Sequence, residues 1–213
     1  MSSVIQSLSA DQRELISAFE VLLREVNKKL NLISRGTESH IAERHILHSL
    51  ALSWRDFPAG SEVIDWGTGG GLPLIPLAIC FPGVVFHGVD SLGKKIQAVR
   101  LMARRLGLSN VHLWHSRAEA WPGQAQYSVS RATAPLTDLW HWHRHSFRPP
   151  ETTPDGAWQP GLICLKGGDL SAEVAALKRA DPEVAVRQFP LRELMGSAFF
   201  EAKYIVEVRP AIS

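Results

Sequence analysis

Val63-Ile64-Asp65-Trp66-Gly67-Thr68-Gly69-Gly70-Gly71-Leu72-Pro73 reads as a β-branched strand, a glycine-dense turn and a helix start with proline in its first turn. Glycine tolerates positive φ and puts no Cβ between the backbone and a ligand, so such a turn is suited to holding one. The spacing narrows the ligand. A dinucleotide fingerprint G-x-G-x-x-G begun at Gly67 and Gly69 needs a small residue at position 72, where this chain has Leu72. No Gly-Lys-Ser/Thr follows, so nothing is set to hold a triphosphate and Mg²⁺. What remains is G-x-G-x-G after an acidic strand end, the form used by S-adenosylmethionine (SAM) methyltransferases.

Outward from this turn, short β-branched runs alternate with helical ones: Val84 to Val89, Val111 to Trp114, Tyr127 to Val129 and Leu162 to Leu165. That alternation predicts parallel strands joined by helices, hence an α/β, Rossmann-like sheet. Val184 to Phe189 and Tyr204 to Val208 have less helical sequence between them and are expected to close the sheet with an antiparallel strand near the C-terminus. Upstream, Ser9 with Gln12 forms a capping box, and Leu15, Phe19, Leu22, Leu23, Val26 and Leu30 share one face of a helix. A second helix is expected over Glu38 to Trp54. The 213 residues are thus divided into an N-terminal helical segment, 1–56, packed on a main domain, 57–213. Arg148 to Gly161 carries Pro149, Pro150, Pro154, Gly156 and Pro160, which exclude a long helix or central strand and predict an exposed surface loop.

Apolar residues at 45% and charged residues at 21% fit a globular chain and exclude disordered and collagen-like readings. The longest apolar run, Leu72 to Phe81, is broken by Pro73 and Pro76 and falls short of the roughly 20 residues of a bilayer span. The first residues lack the pattern of a secretory signal, and Cys80 and Cys164 have no metal-like spacing, so a cytoplasmic chain with reduced thiols is expected. His141, His143 and His145, and His112 with His115, also lack structural-zinc spacing; surface histidines and no metal are expected. Trp66 and Trp142 are candidates for stacking on a base, though core packing is the expected role for most of the seven tryptophans.

A net charge of +2 does not by itself indicate a nucleic-acid partner, so the distribution of charge decides. Asp90 ends the next strand, 23 residues after Gly67, where an acid can accept from both ribose hydroxyls; before Ser-Leu-Gly it can also cap a helix. On the following helix Leu92, Ile96, Val99, Met102, Ala103 and Leu106 form one arc, and Lys94, Arg100, Arg104 and Arg105 the opposite one. No acid lies between Asp90 and Glu119 to neutralise that basic face. Arg117, Arg131 and Lys166 follow at strand ends, where open α/β sheets bind ligands, and together they predict a polyanionic substrate.

These segments together resemble the 16S ribosomal RNA guanine-N7 methyltransferases, the glucose-inhibited division protein B family. The likeness runs through Asn27-Lys-Lys-Leu-Asn-Leu, Glu43-Arg-His-Ile-Leu-His-Ser-Leu, Asp65 to Pro73, Asp90-Ser-Leu-Gly-Lys, Ser116-Arg-Ala-Glu, Ser130-Arg-Ala and Leu165-Lys-Gly. It implies that Gly67, Gly69, Gly71 and Leu72 contact the methionine end of SAM, that Asp90 faces the ribose, that Ala118 and Glu119 hold adenine, and that Arg131 lies at the mouth. It further implies that Lys94, Arg117, Lys166 and Lys203 serve RNA engagement or activity on a 16S rRNA or small-subunit substrate; a monomer is expected. Three positions depart from the family pattern: Leu74 follows Pro73 in place of glycine, His48 replaces a usual Asp, and Gln126 or Ser128 stands where an Asp precedes Ser-Arg-Ala. Leu74 is expected to add a side chain near the cofactor's approach.

Guanine N7 offers a lone pair and carries no proton, so the implied chemistry needs no general base. Orientation and water exclusion suffice, with Arg117, Arg131 and Lys166 as positioning groups. Two other readings stay open: a small-molecule methyltransferase, which has no need of the basic helix face, and a ribosome-binding assembly factor that keeps the fold without turnover.

Overall fold

The structure, a computed structural model, describes residues 7–33, 36, 40–131 and 133–211. The β-branched runs form one seven-stranded sheet: β1 (Glu62–Trp66), β2 (Val85–Asp90), β3 (Val111–His115), β4 (Tyr127–Arg131), β5 (Gly161–Gly167), β6 (Val184–Pro190) and β7 (Lys203–Pro210), in the order β3-β2-β1-β4-β5-β7-β6. The first five pair in parallel, whereas β7 pairs antiparallel with both β5 and β6. Only α7 (Leu191–Met195) and a 3₁₀ turn, Ala198–Phe200, connect β6 to β7, leaving little chain for a parallel crossover. The expected sheet, mostly parallel with an antiparallel strand near the end, is therefore the one observed. β1, β4 and β5 are buried along most of their length, as parallel strands covered on both faces must be.

Helix α1 (Ala10–Leu30) begins at the expected capping box: Gln12 N donates to Ser9 Oγ at 3.1 Å and Ser9 N to Gln12 Oε1 at 2.9 Å. The same Gln12 side chain donates to Ile79 O and Cys80 O, tying the start of α1 to the end of α3 (Leu74–Cys80). Phe19 and Leu23 of α1, Ile75 of α3, and Val99 and Met102 of α4 (Gly93–Arg105) join one apolar cluster on one face of the sheet. Leu136 and Leu139 of α5 (Leu136–His145) and Leu177 of α6 (Ser171–Ala180) join the second cluster on the other face.

Four expectations are corrected. The second helix is irregular: a π turn at Ala42–Leu47, an α turn α2 (His48–Leu50) and a 3₁₀ turn at Ala51–Trp54, with its expected start at Glu38 outside the described residues. The proline-rich segment is not simply an exposed loop. Trp158 is fully buried there, donating through Nε1 to Leu52 O at 2.8 Å and accepting from Tyr127 Oη, because prolines that forbid a helix still allow an indole anchor. It lies just before β5, at the amino ends of the strands and opposite the glycine turn. His143 is a core residue, hydrogen-bonded to Ser128 Oγ at 2.9 Å, since its ring faces the sheet from α5; His112, His115, His141 and His145 are exposed as expected. Leu92 is 45% exposed, because it precedes the first turn of α4 and so escapes the helical arc.

Candidate functional site

β1 has β2 on one side and β4 on the other, so the strand order reverses at β1 and a crevice opens at the carboxyl ends of these strands. A cavity of about 750 Å³ occupies it, within the range of small-molecule sites. The glycine turn forms its floor. Gly67 N and Thr68 N donate to Val89 O at 2.9 and 3.1 Å, so the turn is pinned to β2. On the other side Ser130 Oγ and Thr133 Oγ1 both donate to Trp66 O, at 3.0 and 3.1 Å. Gly67 has φ +70° and any Cβ there would collide with Thr133, so both conformation and close approach demand glycine.

Asp90 takes the helix-entry role the sequence leaves open and also ties down the glycine turn. Its Oδ2 accepts from Gly69 N at 3.0 Å, fixing the turn, and its Oδ1 accepts from Leu92 N at 2.8 Å at the entry to α4. Each carboxylate oxygen keeps a further lone pair that can accept a ligand hydroxyl. Gly67, Gly69, Leu72, Asp90, Ala118, Glu119 and Arg131 all line the cavity, as does Arg117. Gly71 lies behind it, where a Cβ would come within 2.9 Å of Ile75 Cδ1, so its glycine serves helix packing. Leu74 is fully buried with its Cδ2 facing Gly88 in β2; the expected intrusion on the cofactor side is corrected, because the side chain points at the sheet.

Other cavity residues are not among those expected at the cofactor site. Leu32 and Ile33, just after α1, close one wall, with Leu32 Cβ only 3.2 Å from where a Gly70 Cβ would be. Trp142 of α5 forms another, its Nε1 donating to Glu119 Oε1 at 3.1 Å and its ring meeting buried Trp66 edge-on. Beneath the turn Asp65 is completely buried, with no hydrogen-bond partner within 3.5 Å for either oxygen among the described residues. Burial pushes its carboxyl up to about 7, against the pull of the neighbouring Thr68 hydroxyl, the Leu74 amide and the Arg131 charge. Burial likewise pulls the Arg131 guanidinium down from its usual range, and the Asp65 charge offsets part of this. Arg131 Nη1 lies 3.1 Å from His45 Nδ1.

The remaining cations do not all converge here. Lys166 and Lys203 line a neighbouring cavity of about 440 Å³. Lys166 Nζ donates to Ala134 O at 2.7 Å and pairs with Glu173 at 2.9 Å, so its charge is largely spoken for. Lys94, Arg100, Arg104 and Arg105 are exposed along α4, but the basic face is not free of acid: α1 packs alongside and brings Glu25 to 4.0 Å from Arg105, a partner distant in sequence. α1 also adds Lys28 and Lys29 to the groove that Lys94 and Arg105 border. At the departures from the family pattern, Gln126 Oε1 accepts from Glu62 N at 2.7 Å and Ser128 holds His143, so both positions make hydrogen bonds without an acid.

Comparison with known proteins agrees with this geometry. The family rRNA small subunit methyltransferase G matches the chain over residues 12–180. A protein of that name from Salinibacter ruber is 56% identical over 208 residues, 97% of each chain, and one from Bacteroides fragilis is 41% identical over 202 residues, 94% of each. Among solved structures, mitomycin 7-O-methyltransferase superposes with a TM-score of 0.63 at 17% identity, over 91% of this chain and 60% of that one. Precorrin-6y C5,15-methyltransferase from Geobacter metallireducens gives 0.57 at 10% identity, over 85% and 92%, so these two share the fold.

Proposed function

The chain belongs to the rRNA small subunit methyltransferase G family, and from that premise we propose that it transfers a methyl group from SAM to N7 of a guanosine in 16S ribosomal RNA. The observation that carries this reading is the tie from Asp90 to the glycine turn, which joins two strand ends into one floor while leaving lone pairs for a ligand. The residues fit SAM. Gly67, Gly69 and Leu72 offer backbone at the methionine end, Asp90 accepts ribose hydroxyls, and Ala118 with Glu119 borders the adenine. Gly71 supports the turn from behind.

SAM, when bound, supplies an electrophilic methyl group on a sulfonium. The protein's share is positional. Leu32, Ile33 and Trp142 wall the cavity and limit water, and Arg131, held by His45, fixes the mouth. No residue has to take a proton, because guanine N7 carries none, and the two carboxylates that line the cavity, Asp90 and Glu119, accept from Gly69 N and Leu92 N and from Trp142 Nε1. Holding the acceptor near the methyl group in line is worth roughly 7 to 11 kcal/mol in well-oriented reactions. Lys94, Arg100, Arg104 and Arg105, with Arg117 and Lys203, are assigned to the RNA backbone, and Lys166, held by Ala134 O and Glu173, to positioning from within the fold.

The test is incubation with radiolabelled SAM and small ribosomal subunits that lack the modification, beside calorimetry with SAM, S-adenosylhomocysteine and NAD. Label in 16S rRNA and saturable binding of the first two ligands are expected. Binding of NAD without a response to SAM overturns the assignment.

A further inference from the structure

The neighbouring cavity of about 440 Å³ shares His45 and Arg131 with the cofactor cavity. Its other walls are Arg44 and His48 from the irregular helical stretch, the end of β5, Phe199 and Lys203. Three buried nitrogens here have no hydrogen-bond partner among the described residues: Arg44 Nε, His48 Nε2 and Arg131 Nε. His48 is only 9% exposed. Buried polar atoms are nearly always satisfied, so orphans gathered at one cavity indicate a partner that brings its own polar groups. Phe199 is half-buried and offers a ring face on which Lys203 Nζ lies 4.7 Å, and Arg44 Cζ 5.6 Å, from the centroid.

We propose that this cavity receives the acceptor base, with guanine against Phe199, its N7 on the side of His45 and Arg131 that borders the cofactor cavity, and its N1–H donated to His48 Nε2. The inference rests on the methyl-transfer reading and extends it to the choice of base. Enzymes that modify a base take it out of its stack into a pocket, where aromatic and cationic side chains can hold it. His45 and Arg131 border both cavities, so the reacting nitrogen has to lie on their side of the base. O6 sits beside N7 on the same edge and meets a wall of donors from Arg44, Arg131 and Lys203. Adenine presents an amino group at that position, donor against donor. His48 supplies the acceptor that this wall lacks. Burial first, then the charges of Arg131 and Lys203, hold its pKa down to about 3, so the ring is neutral and one nitrogen keeps its lone pair.

The experiment compares His48→Leu, His48→Gln and Phe199→Ala in methyl transfer to small subunits, with SAM affinity measured on the same proteins. His48→Leu is expected to lower kcat/KM for the particle about 30-fold, and Phe199→Ala about 10-fold, in line with the removal of a buried hydrogen bond and of a stacking face. The Kd for SAM stays within about twofold, and His48→Gln, which keeps an acceptor, recovers to within about fivefold of the unsubstituted protein. If His48→Leu does not fold, Phe199→Ala decides alone. Unsubstituted rates in His48→Leu and Phe199→Ala, or a loss of SAM affinity as large as the loss of transfer, overturn the pocket assignment. An unsubstituted protein that binds SAM yet labels no 16S rRNA overturns the methyl-transfer reading itself, and the pocket with it.

Discussion

The two cavities meet at Arg131 and His45 but are built by different means. The cofactor cavity is largely backbone: a glycine turn after β1, the entry to α4 after β2 and the Arg117–Glu119 turn after β3, held by amide hydrogen bonds and one carboxylate. The cavity at Phe199 is side chains from separated segments, Arg44 to His48, Arg131, the end of β5, and Phe199 to Lys203. Their electrostatics also differ in sign. Beneath the first lies a buried carboxyl whose pKa is raised; the second is lined by buried histidines whose pKa values are lowered. A floor made of backbone binds whatever fits its shape, whereas a wall of side chains selects by donor and acceptor.

The largest expected effect separates these electrostatic regimes. Asp65 titrates at about 7 in the fold against 3.8 unfolded, so its carboxyl costs nothing below pH 4, and the cost grows as pH rises through 7. Asp65→Asn is therefore expected to gain roughly 4 kcal/mol of unfolding free energy relative to the unsubstituted protein between pH 4 and pH 8. Urea titrations at the two pH values measure it. A difference independent of pH would mean that the carboxyl is solvated.

The second cavity responds with the opposite sign. His48 binds its proton only near pH 3 when folded, against 6.5 when unfolded, so its contribution is complete above pH 6.5 and is lost as pH falls. Between pH 7 and 4.5 the unsubstituted protein is expected to lose about 3 kcal/mol that His48→Gln does not lose. His45, lowered to about 4, adds to the acid sensitivity in both proteins.

Gly67→Ala tests the backbone floor with an effect of similar size. Left-handed strain and the collision with Thr133 together are expected to cost about 3 kcal/mol, with SAM binding lost. Gly107→Ala, at φ +69° with open space around it, carries the strain alone and is expected to cost about 1 kcal/mol with SAM binding unchanged. Equal effects would remove the case for close approach at Gly67. Asp90→Ala should weaken SAM by about 1 to 3 kcal/mol and, because the carboxylate also holds Gly69 N and Leu92 N, lower stability as well. The smallest effect belongs to α4: replacing Lys94 or Arg104 with Ala is expected to leave SAM binding unchanged and to flatten the salt dependence of RNA binding by about one unit for each phosphate no longer neutralised.

The same contrast explains what is legible in the sequence. Glycine spacing, an acid 23 residues on and alternating β-branched runs report local backbone, and the sheet, the turn and Asp90 follow from them, whereas Ala118 and Glu119 come from the family resemblance. Residues that reach a site through topology leave no local signal. Leu32 and Ile33 arrive because α1 packs across the glycine turn, Trp142 because α5 returns beside β4, and Glu25 meets Arg105 across two helices. His48 stands out in the sequence only as a departure from a family pattern, and its orphaned Nε2 becomes visible once Phe199 and Lys203 are brought beside it. The buried Trp158 shows the converse, since a proline-rich composition reads as exposed whatever a single indole anchors.

The most direct test of the account is to identify the methylated nucleoside. Small subunits labelled by the protein are extracted, and their 16S rRNA is digested to nucleosides and separated against standards. Transfer to guanine N7 puts the label in 7-methylguanosine, present with the unsubstituted protein and lost in step with SAM affinity in Asp90→Ala. Label in methyladenosine, methylcytidine or a ribose-methylated nucleoside would contradict it.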